Sequence, residues 1–485
     1  MGQALNKDHF TPAEHTEYRK RLQQQLDELK TVIEQPGFSD GPASIGAELE
    51  LYITDKNGLP APYNEELLTS MAHPLLTEEL NRFNLEINLS PVTAQGKPFS
   101  AMEAELLPIL KTLRQQAASM DAKIATIGIL PTLNSTHLQR DYMTDRARYR
   151  ALTNELSALK GEPFVVDING QDSLKMSCDE VTLEGANTSF QVHLKVSAAD
   201  FARYFNAAQL ATSLVLAISG NSPTFLGQRL WQETRIALFK QSIDSRHPGL
   251  TRWRQPSRVS FGHGWVRQGA WELFAENVAL HCPLMPYISE DNTPFAELCL
   301  HHGTVWSWNR PVFEHKKGGH LRIEYRYLPA GPSVIDMMAN AALAIGLTVA
   351  LAEHMPQLLP KVPFPYAEFN FYRAAQHGLD ASILWPLDNQ HGLRESRVTE
   401  IIGQLLPEAA KGLEHLEVSR SEIDSLLSVV EKRLSHGVTG ASWQLNRLDS
   451  YLGKGDQQQA LSRMLEDYMH FSTSGEPVAN WELAK

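Results

Sequence analysis

The sequence predicts an α+β protein: a sheet with a polar, acidic, concave face, flanking helices and a helical C-terminal part. Three observations predict it. Four strand-like segments each carry two chemically capable polar residues at i and i+2, helical periodicity fills the stretches between most of them, and helices dominate after residue 327. The pairs are Glu48 and Glu50 in IGAELELYI, Glu86 and Asn88 in LEINLSP, Gln191 and His193 in SFQVHLKVS, and Glu324 and Arg326 in LRIEYRYLP. Alternate strand residues share a face, so each pair lies opposite its apolar neighbours. Ionised carboxylates about 5 Å apart repel by roughly 3 kcal/mol at an effective dielectric near 20. Such a cluster needs protons or cations, and a divalent metal is the natural expectation.

Each element follows from local signals. Thr11 and Pro12 form an N-cap and first-turn pair that opens a helix to about Gln35, ended by Pro36 and Gly37. A strand over 43–54 closes at the turn residues Asp55, Asn57 and Gly58. Helical pattern follows over 64–80, a strand over 83–89, a long helix over 100–120, a strand over 124–130 and a charged helical stretch over 140–159. Strand-rich sequence occupies 164–196, and a helix over 198–219 stops at Gly220-Asn221-Ser222-Pro223. Residues 245–320 are rich in Pro, Gly, His and Trp without clear periodicity, which in a compact protein usually marks function. A strand over 321–327 precedes the final helices, broken at 360–365 and 437–440. The pattern divides into an N-terminal helical extension (1–40), a catalytic sheet core (41–355) with the irregular insertion, and a helical part (356–485) packed on the same domain.

Composition narrows the function. With 485 residues, 42% hydrophobic and 21% charged, the chain is globular. Its net charge of −12 and pI near 5.8 suit neither nucleic acid nor an anionic membrane, where a basic stripe is expected. Small-molecule chemistry fits better. Three cysteines (Cys178, Cys282, Cys299) form no disulfide framework and suit a reducing compartment. MGQALNKDHF has no apolar signal core, and the apolar run from Met337 spans only about 16 residues, short of the ~20 that cross a bilayer. A cytoplasmic protein is expected.

The candidate residues have bland rivals. Glu48 and Glu50 could be solvated on an edge strand, yet charges are disfavoured in a strand whose other face is apolar. Glu86 alternates with Leu85, Ile87 and Leu89, and Glu79 lies seven residues earlier at the end of a helical pattern. His193 could be an ordinary hydrogen-bonded core residue. Glu324 and Arg326 could form a simple cross-strand ion-pair face, but an Arg beside metal-binding carboxylates is also what a phosphate clamp needs. His281, Cys282, Cys299, His301 and His302 lack any closed zinc spacing. No Walker loop, dinucleotide fingerprint or hydrolase elbow is present, so a bound nucleotide would depend on metal, Arg and groove contacts.

In order and spacing, IGAELELYI, Glu79-Leu80 with LEINLSP, SFQVHLKVS, ISGNSPTFLG, ETRIALF and LRIEYRYLP resemble the glutamate–cysteine ligase family, bacterial type 2, of the glutamine-synthetase-like carboxylate–amine ligases. NFYRAAQHGLDA and HGVTGASWQL extend the resemblance, so that it runs from about 40 to 445. It implies a cupped, mainly antiparallel sheet, and ATP-driven phosphorylation of the glutamate γ-carboxylate followed by attack of an amine, with L-cysteine the expected amine. Carried over by motif, Glu48, Glu50, Glu79, Glu86, His193 and Glu324 would hold Mg²⁺, with Mn²⁺ also allowed by the histidine. Glu324 and Arg326 would be catalytic, Arg326 neutralising the ATP γ-phosphate. Arg235 would grip the substrate carboxylate and Gln191 would sit at the glutamate pocket. GWVRQGAW and TVWSWNRP depart from the best-known members and point to a subgroup.

Overall fold

The computed structural model describes residues 5–246, 255–289, 293–316, 318–386, 392–453 and 456–484. Its main sheet has eight strands, all paired antiparallel. The spatial order is Asn309–Glu314, His320–Tyr325, Phe190–Val196, Ser44–Asp55, Asn84–Asn88, Leu76–Glu78, while Val92–Thr93 and Ala122–Ala125 pair with opposite ends of Ser44–Asp55. That long strand is the spine of the site, since it pairs with both Asn84–Asn88 and Phe190–Val196, and Phe190–Val196 pairs in turn with His320–Tyr325.

Alternation gives the sheet its two faces. Leu49, Leu51, Leu85, Ile87, Val192, Leu194, Ile323 and Tyr325 are at most 1% exposed, and they join the main apolar core, where burial of each large side chain is worth about 1.5–3 kcal/mol. Helices Phe201–Ser219 and Val334–Ala352 belong to the same core. The second is long and apolar enough by length and composition to cross a membrane, yet most of it is buried, because its apolar surface packs within the protein. Val398–His415 crosses it at very close range: a Cβ on Gly412 would lie 2.0 Å from the Gly346 carbonyl oxygen, so only glycine fits there.

The N-terminal helix, Pro12–Ile33, starts as expected, with Thr11 and Glu14 forming a capping box. Tyr18 Oη donates to the Glu297 carbonyl (2.7 Å), and Arg21 and Gln25 hold the Glu297 carboxylate. This ties the helix to the irregular region, which contains helices Ala270–Leu280 and Ala296–His302.

Several elements differ from expectation for identifiable reasons. The predicted 64–80 helix is Asn64–Met71, ended by left-handed Ala72 (φ 44°) two residues before Pro74. Glu79 therefore follows a short strand, Leu76–Glu78, rather than ending a helix. The 124–130 strand shrinks to Ala122–Ala125, and the carbonyls beyond it serve side chains and loops: Thr126 accepts from Tyr468 Oη (2.9 Å) and Gly128 from Thr188 N (3.0 Å). The stretch 140–159 splits into a short turn and the helix Ala147–Lys160. Phe164–Asn169 and Ser173–Cys178 form a separate hairpin, as do Ser382–Pro386 and Leu393–Arg397.

Candidate active site

Strand register assembles the site. Glu48 lies opposite Asn88 on one side and Gln191 on the other, Glu50 opposite Glu86, and His193 opposite both Gly46 and Glu324. Directly opposed residues place their Cβ atoms about 4.5–5.5 Å apart, so the four sequence pairs merge into one polar surface. Arg326 follows the last strand, its backbone N–H donating to the Trp308 carbonyl (2.9 Å).

One half of this surface carries basic groups. The Glu324 carboxylate, 1% exposed, accepts from Arg310 Nε (2.5 Å) and Nη2 (2.9 Å) and from Arg326 Nη1 (3.2 Å). Burial alone would raise its pKa, but Arg310, Arg326 and His193 outweigh burial and hold it well below the usual range. Glu48 shows the same balance: burial is the largest single influence and raises it, but the lowering influences together, led by His193, outweigh that, and it falls to about 2. His193 Nδ1 accepts from Arg322 Nε (3.2 Å). Its Nε2 lies 3.2 Å from Glu48 Oε1 and 3.8 Å from Glu324 Oε1, yet is buried without a hydrogen-bond partner among the described residues.

The other half is crowded with acids. Burial, then the Glu79 charge, raises Glu50 to about 7 despite Arg326 and Arg235. Burial lifts Glu79, and lifts Glu86 well above its usual value with help from Glu48, Glu79 and Glu50. Glu50 is nevertheless precisely oriented by two donors: Ser189 N (2.7 Å) and Gln191 Nε2 (2.8 Å). Gln191 Oε1 in turn accepts from Arg326 Nη1 (2.5 Å), which links the two halves.

A divalent metal fits this donor set. One ligand atom each from Glu48, His193 and Glu324 lie within 4.8 Å of one another. Glu50, Glu79 and Glu86 have the raised affinity for protons that marks missing positive charge. Oxygen-rich sets of this kind suit Mg²⁺, and the imidazole also suits Mn²⁺. Among the described residues, no comparable group forms around His281, Cys282, Cys299, His301 and His302, and the three cysteines are unpaired.

Beside the acids opens a cavity lined by Glu50, Glu79, Glu184, Arg235, Trp308 and Arg326, among others. Arg235 begins the helix Arg235–Ser242 and is 3% exposed. Its Nη1 donates to Glu233 Oε1 (3.0 Å) and the Tyr327 carbonyl (3.2 Å), and Nη2 to the Arg326 carbonyl (3.3 Å), while Nε has no hydrogen-bond partner among the described residues. A Cβ at Gly128 would lie 3.1 Å from Arg235 Cδ, so the glycine makes room for this side chain. Glu233 is itself held by Asn221 N (2.8 Å), and Asn221 Oδ1 accepts from Gln444 Nε2 (2.8 Å). The ISGNSP, ETR and SWQL motifs thus form one support for Arg235.

Sequence reasoning missed Arg310, Arg322 and Glu184. Arg310 sits on a strand in the irregular region, Asn309–Glu314, whose alternating burial was obscured by Pro311. Arg322 shares its face with Glu324 and was visible as a third i/i+2 residue in LRIEYRYLP. Glu184 lies on a 3₁₀ turn without periodic signal.

The antiparallel sheet thus brings carboxylates, an imidazole and arginines together on one polar face. The chain belongs to glutamate-cysteine ligase family 2 (GCS2), whose model matches residues 44–467. A bifunctional glutathione synthetase from Pasteurella multocida has a similar fold (TM-score 0.52, 12% identity), with 95% of this chain and 55% of that one covered. This chain thus spans about half the length of that protein. Glutamate–cysteine ligase from Francisella tularensis, solved in complex with AMP, is similar at TM-score 0.50 and 11% identity, with 92% and 97% covered. No curated protein matches the chain.

Proposed function

We propose that this protein uses ATP to activate the γ-carboxylate of L-glutamate and couples it to an amine, L-cysteine in the first instance, forming γ-glutamylcysteine in the cytoplasm. The observation that carries the reading is the joining of six metal-type ligands, Arg326 and the Arg235 cavity on one continuous surface. Glu48, Glu50, Glu79, Glu86, His193 and Glu324 would hold Mg²⁺. When bound, the metal supplies charge neutralisation across the ATP phosphates.

The chain's own groups do the rest. Arg326, oriented by Gln191 and Glu324, presents a planar fork to the transferring phosphoryl group and stabilises the charge that develops there. Arg235, fixed by Glu233, binds a carboxylate of the amino acid and so sets how far its side chain reaches toward Arg326. Gln191 bridges that pocket to the phosphate side. No protein nucleophile is required, because positioning and charge supply most of the rate in phosphoryl transfer.

ADP release by purified protein with ATP, Mg²⁺ and L-glutamate, with and without L-cysteine, tests this. Cysteine-dependent release with a stoichiometric dipeptide is expected. Release that responds to a different amine would keep the activation step and replace the acceptor; no release with any amine would overturn the reading.

A further inference from the structure

We infer that Glu184 receives the α-ammonium group of the activated amino acid, in the cavity that Arg235 also lines. This rests on the glutamate reading above. Two side chains that line the cavity each keep one buried polar atom without a hydrogen-bond partner among the described residues. Glu184 Oε2 is shielded from solvent and has no hydrogen-bond partner among the described residues, and Arg235 Nε is orphaned in the same way. Buried polar atoms without partners are rare and costly, so both point to a ligand that answers them. The head group of an α-amino acid carries an ammonium and a carboxylate on one carbon, and matches both at once. A plain dicarboxylate would leave Glu184 unanswered.

The surroundings sharpen this match. Burial, and then the charges of Glu79 and Glu50, which Arg326 and Arg148 only partly offset, raise the Glu184 pKa to about 8. An incoming cation is therefore favoured. The backbone of the turn that carries Glu184 is held in place before ligand arrives. Glu184 lies on the turn Val181–Ala186, where Asn81 Nδ2 donates to the Thr182 carbonyl (2.9 Å) and Tyr52 Oη to the Ala186 carbonyl (2.6 Å). A Cβ on Gly185 would lie 2.4 Å from Asn81 Nδ2, so the turn closes on Asn81 because residue 185 is glycine.

Calorimetry on the full chain with Mg²⁺ and a non-hydrolysable ATP analogue tests the inference, comparing L-glutamate with glutarate, which lacks the amino group. The wild type should prefer L-glutamate by about 10- to 100-fold, the range of a charge-assisted hydrogen bond. Glu184→Gln, near-isosteric, should lose that preference by weakening glutamate alone, and Glu184→Asp should restore part of it. A Glu184→Gln protein that still discriminates the two acids would overturn the inference while leaving the glutamate reading intact. The same holds if only affinity for the acceptor L-cysteine changes, which would assign the carboxyl to the attacking amine. Wild-type protein that binds neither acid would overturn both.

Discussion

The two halves of the polar face use the same residue type to opposite effect. Glu48 and Glu324 meet His193, Arg310 and Arg326 and are held below the normal carboxylate range, whereas Glu50, Glu79, Glu86 and Glu184 meet chiefly one another and are pushed above it. All are enclosed by protein, so burial alone does not explain the difference. The basic half is largely neutralised by the protein itself, though Glu48, His193 and Glu324 also group as metal-type ligands; the acidic half keeps an excess of negative charge that Arg326 and Arg235 only partly offset. In the proposed reaction, metal and substrate charges would complete the acidic half while the fixed Arg326 guanidinium stands ready for the phosphoryl group.

The comparison can be broken most severely at Glu50. Glu50→Gln removes a central oxygen donor, and the expected outcome is a fall in turnover of at least about 100-fold with the fold retained. The metal-free protein should be no less stable, because a repelling charge is gone; thermal melts beside the rate assay would show this. Arg326→Lys attacks the other half. A point charge cannot reproduce the planar fork, so kcat should fall about 100-fold while affinity for L-glutamate changes little.

Arg310→Gln sharpens the contrast through stability. It takes two of the three guanidinium contacts from buried Glu324, and the metal-free protein should lose about 1–3 kcal/mol in denaturant unfolding. Added Mg²⁺ should recover part of the loss if Glu324 is a ligand. The smallest effect is on pH. In the folded protein Glu50 and Glu184 keep protons up to about 7 and 8, against 4.5 when free of these neighbours. Their contribution to stability is therefore complete below pH 4.5 and lost as pH rises through 7 and 8. The metal-free melting temperature should fall by a few degrees between pH 5.5 and 8.5, and saturating Mg²⁺ should flatten the slope.

Much of this site was legible because strand alternation has a period of two and each pair announced its own face. Glu48, Glu50, Glu86, His193 and Glu324 could be placed on one surface before any register was known. Arg310 could not, because Pro311 argues against a strand; the structure resolves this by putting Asn309–Glu314 at the sheet edge, where a missing N–H is tolerated. Glu79 was found as a residue but assigned to the wrong element, since Pro74 was not weighed as a helix stop. Glu184 and the Asn221–Gln444 support join segments far apart in sequence, and only tertiary packing shows that they meet.

The most direct test of carboxylate activation is trapping the acyl intermediate. Purified protein is incubated with ATP, Mg²⁺, L-glutamate and hydroxylamine, and glutamyl hydroxamate is measured against ADP. Equal amounts of both, lost together in Glu50→Gln, are the predicted result. ADP without hydroxamate, or hydroxamate that survives Glu50→Gln at the wild-type rate, would contradict the account.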